Sequence, residues 1–261
     1  MNTAVATPVD VKLMNMTAMV LILAFVVAGA IATARWVVRL PAFDIKGIAV
    51  SGDVNHNNVL NLRANVASRL TGTFFSIDLA QVRTAFESVP WVRHAIVRRE
   101  FPNRLKVVLQ EHEAVAYWGS DSELRLINSF GEVFEANVGE VEQETLPRLN
   151  GPDGMGGEVL AMYRVLGPLF EAMELPLVDL ELSGGSSWRA RLDSGARIEL
   201  GRGATAEVTA RVRRFLKTLT QVTTRYARRA SALESADLRH ESGYAIRLHG
   251  VSTTEAVAPR K

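Results

Sequence analysis

The chain has 261 residues and is 48% hydrophobic, so by length it holds about two domains of ordinary size and has enough apolar material for a core. Thirty Lys and Arg against 28 Asp and Glu leave a net charge of only +2, which provides no global nucleic-acid footprint. Cysteine is absent, which excludes disulfides, thiolate metal sites and thiol nucleophiles but leaves the compartment open.

From Leu13 to Ala34 run 22 residues without an ionisable side chain. As a helix they span about 33 Å, enough for a hydrocarbon core of about 30 Å. Trp36 follows at the level where an amphipathic ring favours the headgroups. The stretch is too long for a secretory signal, so residues 13–38 are expected to be an uncleaved anchor and its interface, after a tail of residues 1–12. Asp10 and Lys12 on one flank and Arg35, Arg39, Asp44 and Lys46 on the other do not decide orientation.

Ile45–Val50 reads as a strand ending at Ser51-Gly52-Asp53. Val59, Leu62, Val66 and Leu70 have helical spacing, with Asn57 or Asn58 as cap and Thr71-Gly72 as stop. Leu79, Val82, Phe86 and Val89 repeat that spacing behind Asp78, and strands His94–Arg99 and Arg104–Glu111 follow. The unit is β-α-α-β-β. Short strands come next (Ala114–Trp118, Leu124–Asn128, Glu132–Phe134), then a loop over 150–157 and a helix from Glu158 to Met173. Val178–Leu182, Trp188–Leu192 and Ala196–Leu200 read as strands, the last two a hairpin with Arg189, Arg191, Arg197 and Glu199 on its wet face. Val208, Phe215, Leu219, Val222 and Tyr226 mark one stripe of a long helix, with Thr205 as its cap. Asp237 to Leu248 reads as one closing strand, Leu238, Tyr244, Ile246 and Leu248 on one side and Arg239, Glu241 and Arg247 on the other.

Chemistry is sparse. In Glu111-His112-Glu113 alternate side chains diverge on a strand, so a solvated strand end is expected and not a metal site. Gly201-Arg202-Gly203 lacks the Lys-Ser/Thr of a phosphate loop, and no signature of a hydrolase or metalloprotease occurs. No enzyme activity, metal or cofactor is expected. Arg211, Arg213, Arg214, Lys217, Arg225, Arg228 and Arg229 make a basic helix surface without the aromatic platforms of a nucleic-acid site, so it reads as a solvated face or a site for an acidic protein.

The order of these pieces resembles the FtsQ/DivIB family of bacterial division proteins. So do the strings Ile48-Ala49-Val50-Ser51-Gly52, Val89-Pro90-Trp91-Val92, Val97-Arg98-Arg99-Glu100-Phe101-Pro102, Val108-Leu109-Gln110-Glu111, Leu149-Asn150-Gly151-Pro152, Leu200-Gly201-Arg202-Gly203 and Asp237-Leu238-Arg239-His240-Glu241-Ser242-Gly243. The resemblance implies an α+β protein: one N-terminal transmembrane helix, a POTRA domain over 45–113, a β-rich FtsQ β domain with a long helix over 114–250, and a disordered tail over 251–261. It further implies a single-pass protein of the cell inner membrane, N-terminus cytoplasmic and bulk periplasmic. As a non-enzymatic divisome scaffold it would bind FtsB and FtsL through the β domain and FtsK through the POTRA region, and no nucleic acid. The tail is shorter than in many relatives, and His240 stands where a Tyr of relatives helps anchor FtsB.

Two sites are expected. The first is the closing strand as an unpaired sheet edge, with Arg239, His240, Glu241, Ser242, Gly243, Tyr244, Ile246 and Leu248 receiving a partner strand and the apolar members anchoring it. The second is the pair of POTRA strands carrying Val97, Arg98, Arg99, Lys106 and Val108. The competing function is a POTRA-bearing chaperone or transport component acting on exported polypeptides, which a tandem of such units and a barrel would mark.

Overall fold

A computed structural model describes residues 9–38, 40–56, 62, 66, 72–120, 123–141, 146–240 and 243–251. Several expectations lie outside the described residues: the caps Asn57 and Asn58, Val59 and Leu70 of the first soluble helix, Glu241 and Ser242, and the tail from 252. The chain divides into two compact units, 1–111 and 112–261.

In the first unit, helix α1 (Val9–Val38) is the one described helix long and apolar enough to cross a membrane. Its side chains are exposed almost throughout, so it is not a core helix of this chain. A three-stranded sheet follows, built from β1 (Gly47–Gly52), β2 (Val92–Glu100) and β3 (Arg104–Glu111) in the order β1-β3-β2. β3 runs parallel to β1 and antiparallel to β2. Helix α2 (Leu79–Glu87) starts where the Asp78 carboxylate accepts the Ala80 amide at 2.8 Å, the cap expected of that residue. Leu62 and Val66 are helical and buried, and with Val82, Phe86, Leu105, Val107 and Leu109 they form the core on one face of the sheet.

Glu111 is not a solvated strand end. Its carboxylate, 4% exposed, accepts the amides of Asn55 (2.9 Å) and His56 (3.0 Å) and so ties the turn after β1 to the end of β3. His112, in the second unit, stacks on Phe134 at 4.1 Å and bonds Asn128 at 2.8 Å.

The second unit is a nine-stranded sheet. Its strands are β4 (Ala114–Trp118), β5 (Arg125–Asn128), β6 (Val133–Phe134), β7 (Arg148–Asn150), β8 (Leu177–Leu182), β9 (Ser187–Leu192), β10 (Arg197–Arg202), β11 (Leu233–Asp237) and β12 (Ala245–Leu248), in the order β12-β11-β10-β9-β8-β7-β4-β5-β6. Helices α3 (Gly156–Glu171) and α4 (Thr205–Arg225) cover one face, where Leu166, Phe170, Val212, Phe215 and Leu219 meet Leu180, Trp188, Ala190 and Ile198. The other face is wet, as the alternation in β9 and β10 requires, and there Arg191 bonds Asp179 at 2.8 Å and Arg189 bonds Glu199 at 3.3 Å.

Two expectations are corrected, and a strand appears where only the loop from Asn150 is expected. Arg148–Asn150 is a strand, too short for a periodicity to be read, placed by parallel pairing to β4 and β8. The cap of α4 is Ala204, whose amide is bonded by the Glu207 carboxylate at 3.3 Å, and Thr205 is already helical. The closing stretch is not one strand: β11 and β12 form an antiparallel pair, and residues 238–244 connect them.

Candidate functional site

The candidate site is the edge of the large sheet at β12. β10 ends in a bulge between Glu199 and Gly201, and Gly201 has φ +82. Beside that irregularity Arg211 of α4 holds two carbonyls, its guanidinium donating to Leu200 O at 3.0 Å and to Arg202 O. The string Leu200-Gly201-Arg202-Gly203 is thus a bulge closed by an arginine from the helix. A side chain at Gly201 would meet the Arg239 stem at 3.1 Å, so the glycine also makes room for Arg239.

β11 lies parallel to β10 and stops at Asp237. The Asp237 carboxylate accepts the Arg239 amide at 3.0 Å and the guanidinium at 2.9, 3.1 and 2.6 Å, while Leu238 donates to Glu199 O at 2.8 Å. Asp-Leu-Arg is therefore a turn held by its own ion pair, with Leu238 buried and the Arg239 side chain 59% exposed. The Arg239 guanidinium holds the Asp237 carboxyl down at about 2, and burial opposes it. A folded pKa below the unfolded one stabilises the fold fully above about pH 4, and that contribution disappears as the pH falls from about 4 to about 2. A carboxyl titration followed by NMR should give Asp237 a midpoint of about 2, rising toward 3.8 in Arg239→Ala. A parent midpoint near 4 contradicts the pairing.

β12 pairs with β11 alone among the described strands, so its other side is an edge. The apolar residues expected to anchor a partner turn the other way. Tyr244 lies edge-to-face on Phe215 at 5.1 Å and its hydroxyl bonds the Thr218 hydroxyl at 2.6 Å, while Ile246 packs on the core and Leu248 is buried. A period of two gives 244, 246 and 248 to one face, and the helix-covered side claims it. Ala245 and Arg247 point outward, and Gly243 has open space around it. Arg239 and His240 are exposed in the turn and not in the strand. Asp237 and Thr218 have no role in the sequence reading, for no local pattern ties a threonine in mid-helix to a tyrosine 26 residues on. Arg211, expected on the basic solvated face of the helix, is instead half-buried and spent on the carbonyls of Leu200 and Arg202.

The second expected site separates into two sets. β2 is an edge strand and β3 is central, so Lys106 and Val108 offer side chains but no free backbone. Arg98, Lys106 and Val108 are on the open face, where Arg98 and Lys106 are direct cross-strand neighbours and Ile96 faces Val108. Val97 packs toward the core. Arg99 is spent internally, donating to Phe74 O at 2.7 Å, Ile77 O at 2.8 Å and Phe75 O at 3.4 Å.

One apolar membrane helix, a β-α-α-β-β unit and a sheet domain with an unpaired edge define a membrane-anchored protein of the POTRA-bearing class. Residues 43–112 match the family described as POTRA domain, FtsQ-type, and residues 116–239 match Cell division protein FtsQ/DivIB, C-terminal. The chain is similar to proteins named Cell division protein FtsQ: 37% identical to that of Burkholderia pseudomallei, over 93% of this chain and 94% of the relative. Identity is 34% to that of Thiomonas arsenitoxydans, over 94% and 89%, and 33% to that of Bordetella pertussis, over 92% of each. The chain belongs to the FtsQ/DivIB family of bacterial cell division proteins.

Proposed function

We propose that this chain is a non-enzymatic scaffold of the divisome, a single-pass protein of the inner membrane with its N-terminus in the cytoplasm and its two folded domains in the periplasm. Its domains run over 45–113 and 114–250. It links early and late division proteins, binding the FtsB and FtsL pair through the β domain and FtsK through the POTRA region. The observation that carries this reading is the free side of β12, where Arg239, His240 and Gly243 are open beside an unpaired backbone. A strand of FtsB adds there through main-chain hydrogen bonds, and an acidic residue of it shares the Arg239 guanidinium with Asp237. On the POTRA unit the corresponding surface is the β2 edge with Arg98, Lys106 and Val108.

A photoreactive residue at Ala245 or Arg247, whose side chains leave the core, should crosslink to FtsB in cells. The same residue at Tyr244, which faces Phe215, should not. Crosslinking from neither outward position would overturn the docking edge. Protease added to spheroplasts should digest the soluble domains while the membrane is intact, and protection would reverse the topology.

A further inference from the structure

We propose that the outer face of α4 is an electrostatic membrane-contact surface, which lays the β domain against a bilayer rich in anionic lipid. From residue 208 to residue 233 the sequence has seven basic residues and no acidic one. Arg213, Lys217, Gln221 and Arg225 follow one another at intervals of four and are all exposed, so they line one ridge of the helix. Val208, Val212, Phe215, Leu219 and Thr223 are buried and lie on the opposite side, so the ridge points straight out from the domain. Arg228 and Arg229 follow the helix end and are exposed, Arg228 donating to Gly250 O at 3.2 Å.

Helix formation does not account for this pattern. Cations complement the helix dipole only in the last turn, which covers Arg225 but not Arg213 or Lys217. Arg213 and Lys217 are like charges four residues apart, an arrangement that destabilises a helix. Among the described residues none of Arg213, Lys217, Arg225 and Arg229 has an ion pair, although Arg189, Arg191 and Arg239 elsewhere in the same unit are all neutralised. Arg197 and Arg202 of the sheet likewise have no ion pair among the described residues, but the ridge aligns three such cations, Arg213, Lys217 and Arg225, along one helix face.

The form of the ridge favours a lipid surface over a protein. A protein hot spot needs a pocket that excludes water around an aromatic or arginine anchor. This surface is a convex helix face with a single exposed aromatic, Tyr226, at its end. Adsorption to a charged bilayer needs no pocket, only cations within a Debye length and long stems that follow the surface. The chain itself carries a membrane anchor, so a bilayer is present at high effective concentration.

The chain has no cysteine, so Gln221→Cys provides one labelling site on the ridge. The labelled full-length protein, reconstituted in nanodiscs of phosphatidylcholine alone or with phosphatidylglycerol, is read by energy transfer to a headgroup acceptor. Transfer should rise with the phosphatidylglycerol fraction and collapse in high salt. Each of Arg213→Gln, Lys217→Gln and Arg225→Gln should reduce the ratio of docked to undocked protein about fivefold. Transfer that is equal in neutral and anionic discs, or unchanged in the triple variant with its circular dichroism intact, overturns the proposal. Absence of docking in anionic discs together with saturable binding of polyglutamate in solution would assign the ridge to an acidic protein instead.

Discussion

Gly243→Pro should weaken FtsB binding at least tenfold while the domain stays folded. Gly243 borders β12, and a side-chain atom placed there would touch nothing within 4 Å, so the ring enters open space and not the core. What it obstructs is the line along which an added strand must run. Proline also removes an amide donor and biases the residue before it toward extended backbone. One lost main-chain hydrogen bond contributes about 0.5 to 1.5 kcal/mol, and steric exclusion of an incoming backbone adds to it. Tenfold corresponds to about 1.4 kcal/mol. The fold control rests on contacts away from residue 243, because β12 is fastened by its pairing with β11 and by buried Leu248. Calorimetric titration of FtsB into the full-length protein in detergent checks it. A folded variant with parental affinity would exclude strand addition at this edge.

Arg99→Glu should unfold or strongly loosen the POTRA unit, whereas Arg98→Glu and Lys106→Glu should not. Adjacent in sequence, Arg98 and Arg99 project to opposite faces. Arg99 donates to three carbonyls of the segment 74–77, which leads into α2. Hydrogen bonds to charged groups contribute about 1.5 to 3 kcal/mol each, and a carboxylate in that place can donate none of them. A loss of about 2 to 4 kcal/mol is expected, with faster hydrogen exchange at residues 74–77. Arg98 and Lys106 face each other across the strands on the solvated face, so reversing one replaces a repulsive pair with an attractive one. Stability should then change by no more than about 0.5 kcal/mol, leaving any loss of FtsK binding attributable to the surface itself. Equal destabilisation by all three would contradict the assignment.

The membrane helix, the β-α-α-β-β order and the hairpin of β9 and β10 were legible in the sequence because each rests on a local period. A run of 22 residues without charge is long and apolar enough to cross a bilayer, and alternation around Trp188 and Ile198 fixes two faces without reference to anything distant. The tertiary structure decided what alternation leaves open: which face is the core, and which strand is the edge. Tyr244, Ile246 and Leu248 were correctly grouped on one side, but only the position of Phe215 and Thr218 on α4 shows that this side faces inward. The sequence puts Arg239 in the closing strand, as a charge facing a partner. Its placement in a turn closed by Asp237 depends on β11 ending against β10, a pairing between segments about 38 residues apart. Val97 and Arg99 were read with Arg98, Lys106 and Val108 as one surface, and the core and the carbonyls of 74–77 removed them from it. Local backbone periodicity is written in neighbouring residues. The choice of face, edge and ion-pair partner is made by groups that only the folded chain brings within a few ångströms.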